Sequence, residues 1–232
     1  MKNTLLKFAL ISIAAAGAVV ACDSVAPEIA IIDKITPTIL PRGVGDTITI
    51  EGANLDRATL FGFTLSADSG SQKMVNVERE DFLYTSATVI KIVIPEGVTF
   101  PCGIVVVEGE SSTSWGRGSL ITAGQAAVQD AANIDALAFL TCANAAYTDH
   151  PDETSAEYQQ AVGACLQNNF YGKNLSFDSE GKPNNDYTIM LYYAITKTVS
   201  TMYTGQSQKA IAESIAGIKL MIYSFYQSLQ GA

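Results

Sequence analysis

The side chains that could carry chemistry are few and scattered. The single histidine, His150, stands beside Pro151 in a stretch, 149–153, that reads as a turn, so any histidine-based nucleophilic triad would have to use it. A solvated loop histidine is the simpler reading. The four cysteines, Cys22, Cys102, Cys142 and Cys165, contain no C-x-x-C pair, so a thiolate zinc site is not expected. No glycine-rich phosphate loop of either common pattern is present. Acidic groups crowd two places: Glu78, Glu80 and Asp81, and the run Asp178, Glu180, Asn184, Asn185 and Asp186. Oxygen-rich loops can hold calcium, but this spacing does not fit the twelve-residue calcium loop, and a solvated polar loop is the plainer alternative. Nothing singles out a carboxylate pair for glycoside hydrolysis. The expectation is a protein that is not an enzyme, with no catalytic residue, no metal and no cofactor.

Aromatic residues are the more informative set. Nine of the ten tyrosines follow residue 146, and the lone tryptophan, Trp115, lies in a Ser/Gly-rich stretch. Tyr and Trp suit interfaces because a rigid ring carries a polar handle. Trp115 could therefore be an exposed platform that stacks on a sugar ring. Most of the tyrosines could equally line a helical core with their hydroxyls reaching water.

These residues sit in an acidic chain. The 14 basic and 23 acidic residues give a net charge of −9, and loss of Lys2 and Lys7 with a leader would take it to −11. Such a surface repels phosphate backbones, so no nucleic-acid partner is expected. With 48% hydrophobic and 16% charged residues over 232 positions, there is material for one large or two smaller cores.

Residues 1–21 have the three parts of a secretory signal: Lys2 and Lys7, an apolar run from Phe8 to Val20, and a small-residue cleavage site. Val19-Val20-Ala21-Cys22 resembles the lipobox of bacterial lipoproteins. The resemblance implies that Cys22 takes a diacylglyceryl group, and palmitate is the natural label for it. Two or three acyl chains would anchor the protein stably without spanning the membrane. Residues 22–27 would then be a lipidated tether in the bacterial cell envelope, with inner and outer membrane both open.

From residue 28 to 122, short β-rich runs alternate with turn residues. Asp46-Thr-Ile-Thr-Ile-Glu51 alternates with period two, and Ala58–Phe61, Met74–Val77, Ala87–Ile94 and Ile104–Glu108 follow, with Ser114–Ile121 as a last edge strand. About seven such strands suggest an immunoglobulin-like sandwich. Ile35-Thr-Pro37, Pro41-Arg-Gly43, Gly45-Asp-Thr-Ile-Thr-Ile-Glu-Gly52, Asn54-Leu55 and Leu60-Phe-Gly62 resemble the opening of an IPT/TIG domain, with Asp46 where a second glycine is common. Val93-Ile-Pro95, Gly97 and Cys102-Gly-Ile-Val-Val-Val107 are similar to its closing strands. The resemblance implies a non-catalytic spacer or binding platform.

At Gly124 the period changes to that of helices. Ala127, Ala131, Ile134, Ala138, Cys142 and Ala145, widened by Leu137 and Phe139, form the expected buried face of a first helix. Thr154-Ser-Ala-Glu157 has the form of a capping box for a second. Residues 172–185 read as a loop, Asp186 as the cap of a third helix, and Gly205 as the break before a fourth. In that last helix Ile211, Ile215, Ile218, Ile222, Phe225 and Leu229 recur at steps of three and four. Residues 125–232 are thus expected to form a helical bundle, giving an all-β immunoglobulin-like sandwich followed by a separate all-α four-helix domain.

Two further expectations concern this bundle. Cys142 and Cys165 fall within a modest register shift of each other on neighbouring antiparallel helices, so an exported chain would bridge them and leave Cys102 as the odd thiol; the alternative is three buried free thiols. Between Tyr187 and Ala232 only Lys197, Lys209, Glu213 and Lys219 are charged, and Leu220, Tyr223 and Tyr226 stand off the main stripe. They are the expected partner-binding surface, for a protein partner or a homo-oligomer. The functional expectation is a membrane-anchored envelope protein that binds a partner or builds an assembly; the alternative is a surface glycan-binding lipoprotein.

Overall fold

The computed structural model describes residues 29–65, 74–116 and 118–231. The expected leader, tether and Cys22 lie outside them. Among the described residues ten strands precede four helices: β1 (Ile31–Thr36), β2 (Ile39–Leu40), β3 (Thr47–Ala53), β4 (Leu60–Leu65), β5 (Met74–Glu78), β6 (Tyr84–Thr85), β7 (Val89–Val93), β8 (Cys102–Glu108), β9 (Ser111–Ser114) and β10 (Ile121–Thr122). The helices are α1 (Ala123–Asp149), α2 (Ala156–Phe170), α3 (Asp186–Met202) and α4 (Gln208–Gln230).

The strands form two four-stranded antiparallel sheets, ordered β1-β3-β7-β6 and β5-β4-β8-β9. Alternation in β3 and β7 turns Ile48, Ile50, Ile90 and Ile92 inward, where they meet Phe61, Phe63, Ile104 and Val106 of the facing sheet. Each such burial contributes about 1.5–3 kcal/mol, which makes this inner layer the main source of the sandwich's stability. Gly52 and Gly43 are among the glycines that answer to close approach. A Cβ on Gly52 would lie 1.9 Å from the carbonyl oxygen of Ile31, beside the bulge in β1. Gly43, at φ +93°, sits against the ring of Phe100. Asp46, at the position where a glycine is common in IPT/TIG domains, closes this turn with its side chain. Its carboxylate accepts from the backbone N–H groups of Arg42 and Gly43, both at 2.8 Å. Those two bonds hold its pKa below the usual carboxylate value.

The last edge strand expected over Ser114–Ile121 is instead two elements. β9 closes a hairpin with β8, and β10 leaves the sheets to pair in parallel with β2. The chain then enters α1 without an intervening loop. Thr122 caps α1 through a full capping box: Gln125 N–H donates to Thr122 Oγ1, and Thr122 N–H donates to Gln125 Oε1, both at 3.2 Å.

The four helices share a second core around Ala132, Ala136, Phe139, Phe170, Met190, Leu191, Ile195 and Ile222. Two caps fall one residue from their expected places. Ser155, not Thr154, caps α2, because Thr154 is held by Asp152 in a local turn; Asn185, not Asp186, caps α3. The larger correction concerns α1. Ala127, Ala131, Ile134, Leu137, Ala138 and Ala145 face solvent, whereas Ala132, Asp135, Ala136, Phe139, Leu140 and Ala146 are buried. Alanines recur on every side of this helix, so the position of the large Phe139 and the polar anchor at Asp135 decides which face turns inward. Among the described residues no helix is long and apolar enough to cross a membrane.

Candidate interaction surfaces

The side chains with chemical potential are taken up by structure. Cys142 and Cys165 form a disulfide, with Cα atoms 5.7 Å apart, that staples α1 to α2. Cys102 is a free, buried thiol in the sandwich core, and burial pushes its pKa up to about 12. His150 is the C-cap of α1, its backbone N–H donating to Ala146 O at 2.9 Å. Among the described residues no group of three or more His, Cys, Asp or Glu is placed to hold a metal ion. In the acidic loop, Asp178 Oδ1 accepts from the backbone N–H groups of Glu180 and Lys182, and Lys182 pairs with Glu180 at 2.6 Å. These oxygens fold the loop onto itself.

Trp115 is not an exposed sugar platform. It is 9% exposed and belongs to the sandwich core, with its ring over Gly118. Just past β9 its backbone N–H donates to Ile104 O of β8 at 2.8 Å, and the indole packs into the sandwich core. A buried ring offers no face for stacking.

A buried polar network ties the helical domain together. Asp135, on the inner side of α1, accepts from the Tyr187 hydroxyl at 2.7 Å and from Lys173 Nζ at 2.9 Å. Burial first, then the bond to Asp135, push the Tyr187 hydroxyl well above the usual tyrosine value. The lysine charge supplies what a lone buried carboxylate would lack. A second link runs between the domains. Gln125 Nε2 donates to Phe100 O at 2.8 Å, and Ser119 Oγ meets Tyr193 OH at 2.8 Å.

Of the three residues expected on the partner-binding face of α4, one is open. Leu220 is 63% exposed. Tyr223 and Tyr226 instead pack on Phe177, with ring centroids 5.1 and 5.0 Å away, and Phe177 also meets Tyr192 at 5.7 Å. Gly181, at φ +79°, lies against the Tyr223 ring. The loop after α2 therefore packs against one side of these tyrosines, and both stay half-exposed. Sequence reasoning missed Phe177, whose isolated position in a polar loop was the available signal.

Two apolar surfaces stay open in the helical domain. A groove of about 390 Å³ runs between α2 and α4, with Tyr158, Val162, Leu166, Met221 and Phe225 along it and Glu153 at its edge. On α1, Ile134 is 67% and Leu137 58% exposed, in line with the exposed alanines on either side.

Comparison with known families agrees with the geometry of the first domain. Residues 30–120 match the model of the IPT/TIG domain, a family commonly involved in protein–protein interaction; the match covers less than half of the 232 residues. No curated protein matches the chain.

Proposed function

We propose that this chain is a lipid-anchored, non-enzymatic protein of the bacterial cell envelope, in which an IPT/TIG sandwich holds a helical domain outward to bind a protein partner or build an assembly. The observation that carries the reading is the junction. β10 runs directly into α1, and the Gln125 bond to Phe100 O fastens the helix to the sandwich. A spacer needs such a stiff joint, because a loosely hinged module would spend its binding free energy on ordering. The helical faces support the same reading, since α1 and α4 leave large apolar side chains in water at Ile134, Leu137 and Leu220. The anchor rests on Val19 to Cys22 alone, and the non-enzymatic reading on the poverty of paired nucleophiles and bases. Burial of Trp115 takes away the residue on which the glycan alternative stood.

Metabolic labelling with a palmitate analogue tests the anchor. The wild type takes up label and fractionates with membranes, and Cys22→Ala does neither; a variant that is still labelled and membrane-bound overturns it. Cross-linking in native membranes followed by affinity purification tests the binding role. A wild type recovered as a single protomer without a partner overturns that part.

A further inference from the structure

We infer that the groove between α2 and α4 is a binding site for a small organic cation, a quaternary ammonium whose head sits at Glu153 and Tyr158 and whose apolar chain lies along the groove. The inference goes beyond partner binding and does not depend on it.

The groove has an apolar length and one charged end. Val162 and Leu166 of α2 and Met221 and Phe225 of α4 line it with carbon and sulfur, which suits an alkyl chain. Its volume of about 390 Å³ falls in the range of small-molecule sites, roughly 300–1,000 Å³.

Gly163 keeps that length open. It lines the groove and is the middle residue of α2, Ala156–Phe170. A glycine in a helix interior costs about 1 kcal/mol relative to alanine. The fold does not require one here: the backbone is not left-handed, and a Cβ would meet nothing within 4 Å. The space that the missing side chain leaves is free for a ligand.

The charged end is built for a cation. Among the described residues that line the groove, Glu153 alone carries a charge, and the ion pairs of the described residues do not include it. Tyr158 meets Tyr147 with the two rings at 83° and their centroids 6.5 Å apart. Rings at right angles form a corner, and a cation seated in it lies within about 6 Å of both centroids. Burial first, then the Glu153 carboxylate and the Tyr147 and Tyr203 hydroxyls, push the Tyr158 hydroxyl above the usual tyrosine value. A place that resists a further negative charge favours a positive one. The surrounding chain has the same sign. Residues 149–157 hold Asp149, Asp152, Glu153 and Glu157, and no Lys or Arg occurs from 118 to 172 or after Lys219. An anionic ligand of the same shape is repelled. A quaternary ammonium gains from the ring faces and needs no hydrogen-bond partner.

The experiment titrates the full chain by calorimetry in nanodiscs free of choline lipids, because detergent tails would compete for the groove. Hexyltrimethylammonium is expected to bind at one site per chain, and hexanoate, with its negative head, is not. Tetramethylammonium, which lacks the chain, should bind about tenfold more weakly or less. Gly163→Leu fills the groove and should weaken hexyltrimethylammonium about tenfold or more, with the thermal transition unchanged or raised because leucine favours the helix. Glu153→Gln and Tyr147→Leu, both at exposed positions, should each weaken it about threefold to tenfold. Absence of hexyltrimethylammonium binding overturns the inference, as does equal affinity for hexanoate or undiminished binding by Gly163→Leu. A lysine-bearing peptide that binds where the free cation does not would overturn it as well.

Discussion

Leu120 and Ile121 are neighbours in the chain and belong to different hydrophobic cores. Leu120, fully buried, closes the sandwich; Ile121, 6% exposed, opens the helical core. The alternation of an extended backbone sends successive side chains to opposite sides. The isolated bridge at Leu120 followed directly by β10 is therefore enough to pass the chain from one domain to the other. The joint is held by Ile121 N–H donating to Thr38 O at 3.1 Å and by the Leu120–Cys102 exchange at 2.8 and 3.1 Å.

The junction predicts its own weak points. Gln125→Ala removes one arm of the capping box and the bond to Phe100 O, at a position only 3% exposed. The expected loss is about 1–2 kcal/mol in denaturant unfolding. Proteolysis should then cut near residue 118 faster than in the wild type. Unchanged stability and cleavage would show that the bond does not fasten the joint.

The bridge between Cys142 and Cys165 closes a loop of 23 residues. In the chain-entropy account it contributes about 3 kcal/mol. Reduction, or the paired change Cys142→Ala with Cys165→Ala, should lower the melting temperature of the helical domain by several degrees. Peptide mapping without reduction should recover the two cysteines as one linked species.

Trp115→Ala should destabilise the sandwich by about 3–5 kcal/mol, the range for emptying a buried aromatic site. Tryptophan emission of the wild type should lie at short wavelength and resist aqueous quenchers. A variant with an unaltered unfolding transition would contradict the burial.

Alkali should unfold the protein through two buried groups. The Tyr187 hydroxyl is held above its usual value of about 10, and the Cys102 thiol is pushed up to about 12. Raised values in the folded state mean that the neutral forms are favoured there. Their contribution is complete below the unfolded-state values, and it falls as pH rises, because the unfolded chain ionises first. Tyr187→Phe should flatten the decline above about pH 10, at a cost of about 1–2 kcal/mol at neutral pH from the lost bond to Asp135. A decline of equal steepness in the variant would place its origin elsewhere.

The sequence by itself determined the two architectures and the boundary between them. Period-two alternation in Thr47-Ile-Thr-Ile50 allows one face inward and no other, and the isoleucines of α4 define one stripe, so both were legible as patterns of large apolar residues. The spacing of Cys142 and Cys165 likewise carried their pairing, because two helices joined by a short turn leave little freedom of register. Tertiary structure decided what pattern left ambiguous. The alanines of α1 recur on all sides, and burying an alanine contributes too little for periodicity alone to choose a face; Phe139 and the Asp135–Tyr187 bond chose it. For Tyr223 and Tyr226 the pattern left open whether the rings pack inward, and the loop carrying Phe177 supplied the contact on one side of each. Trp115 reads as exposed among serines and glycines, and only its packing in the core between the sheets shows that the ring is buried. Contacts between residues distant in the chain fixed these positions, because each depends on which surface another element leaves uncovered.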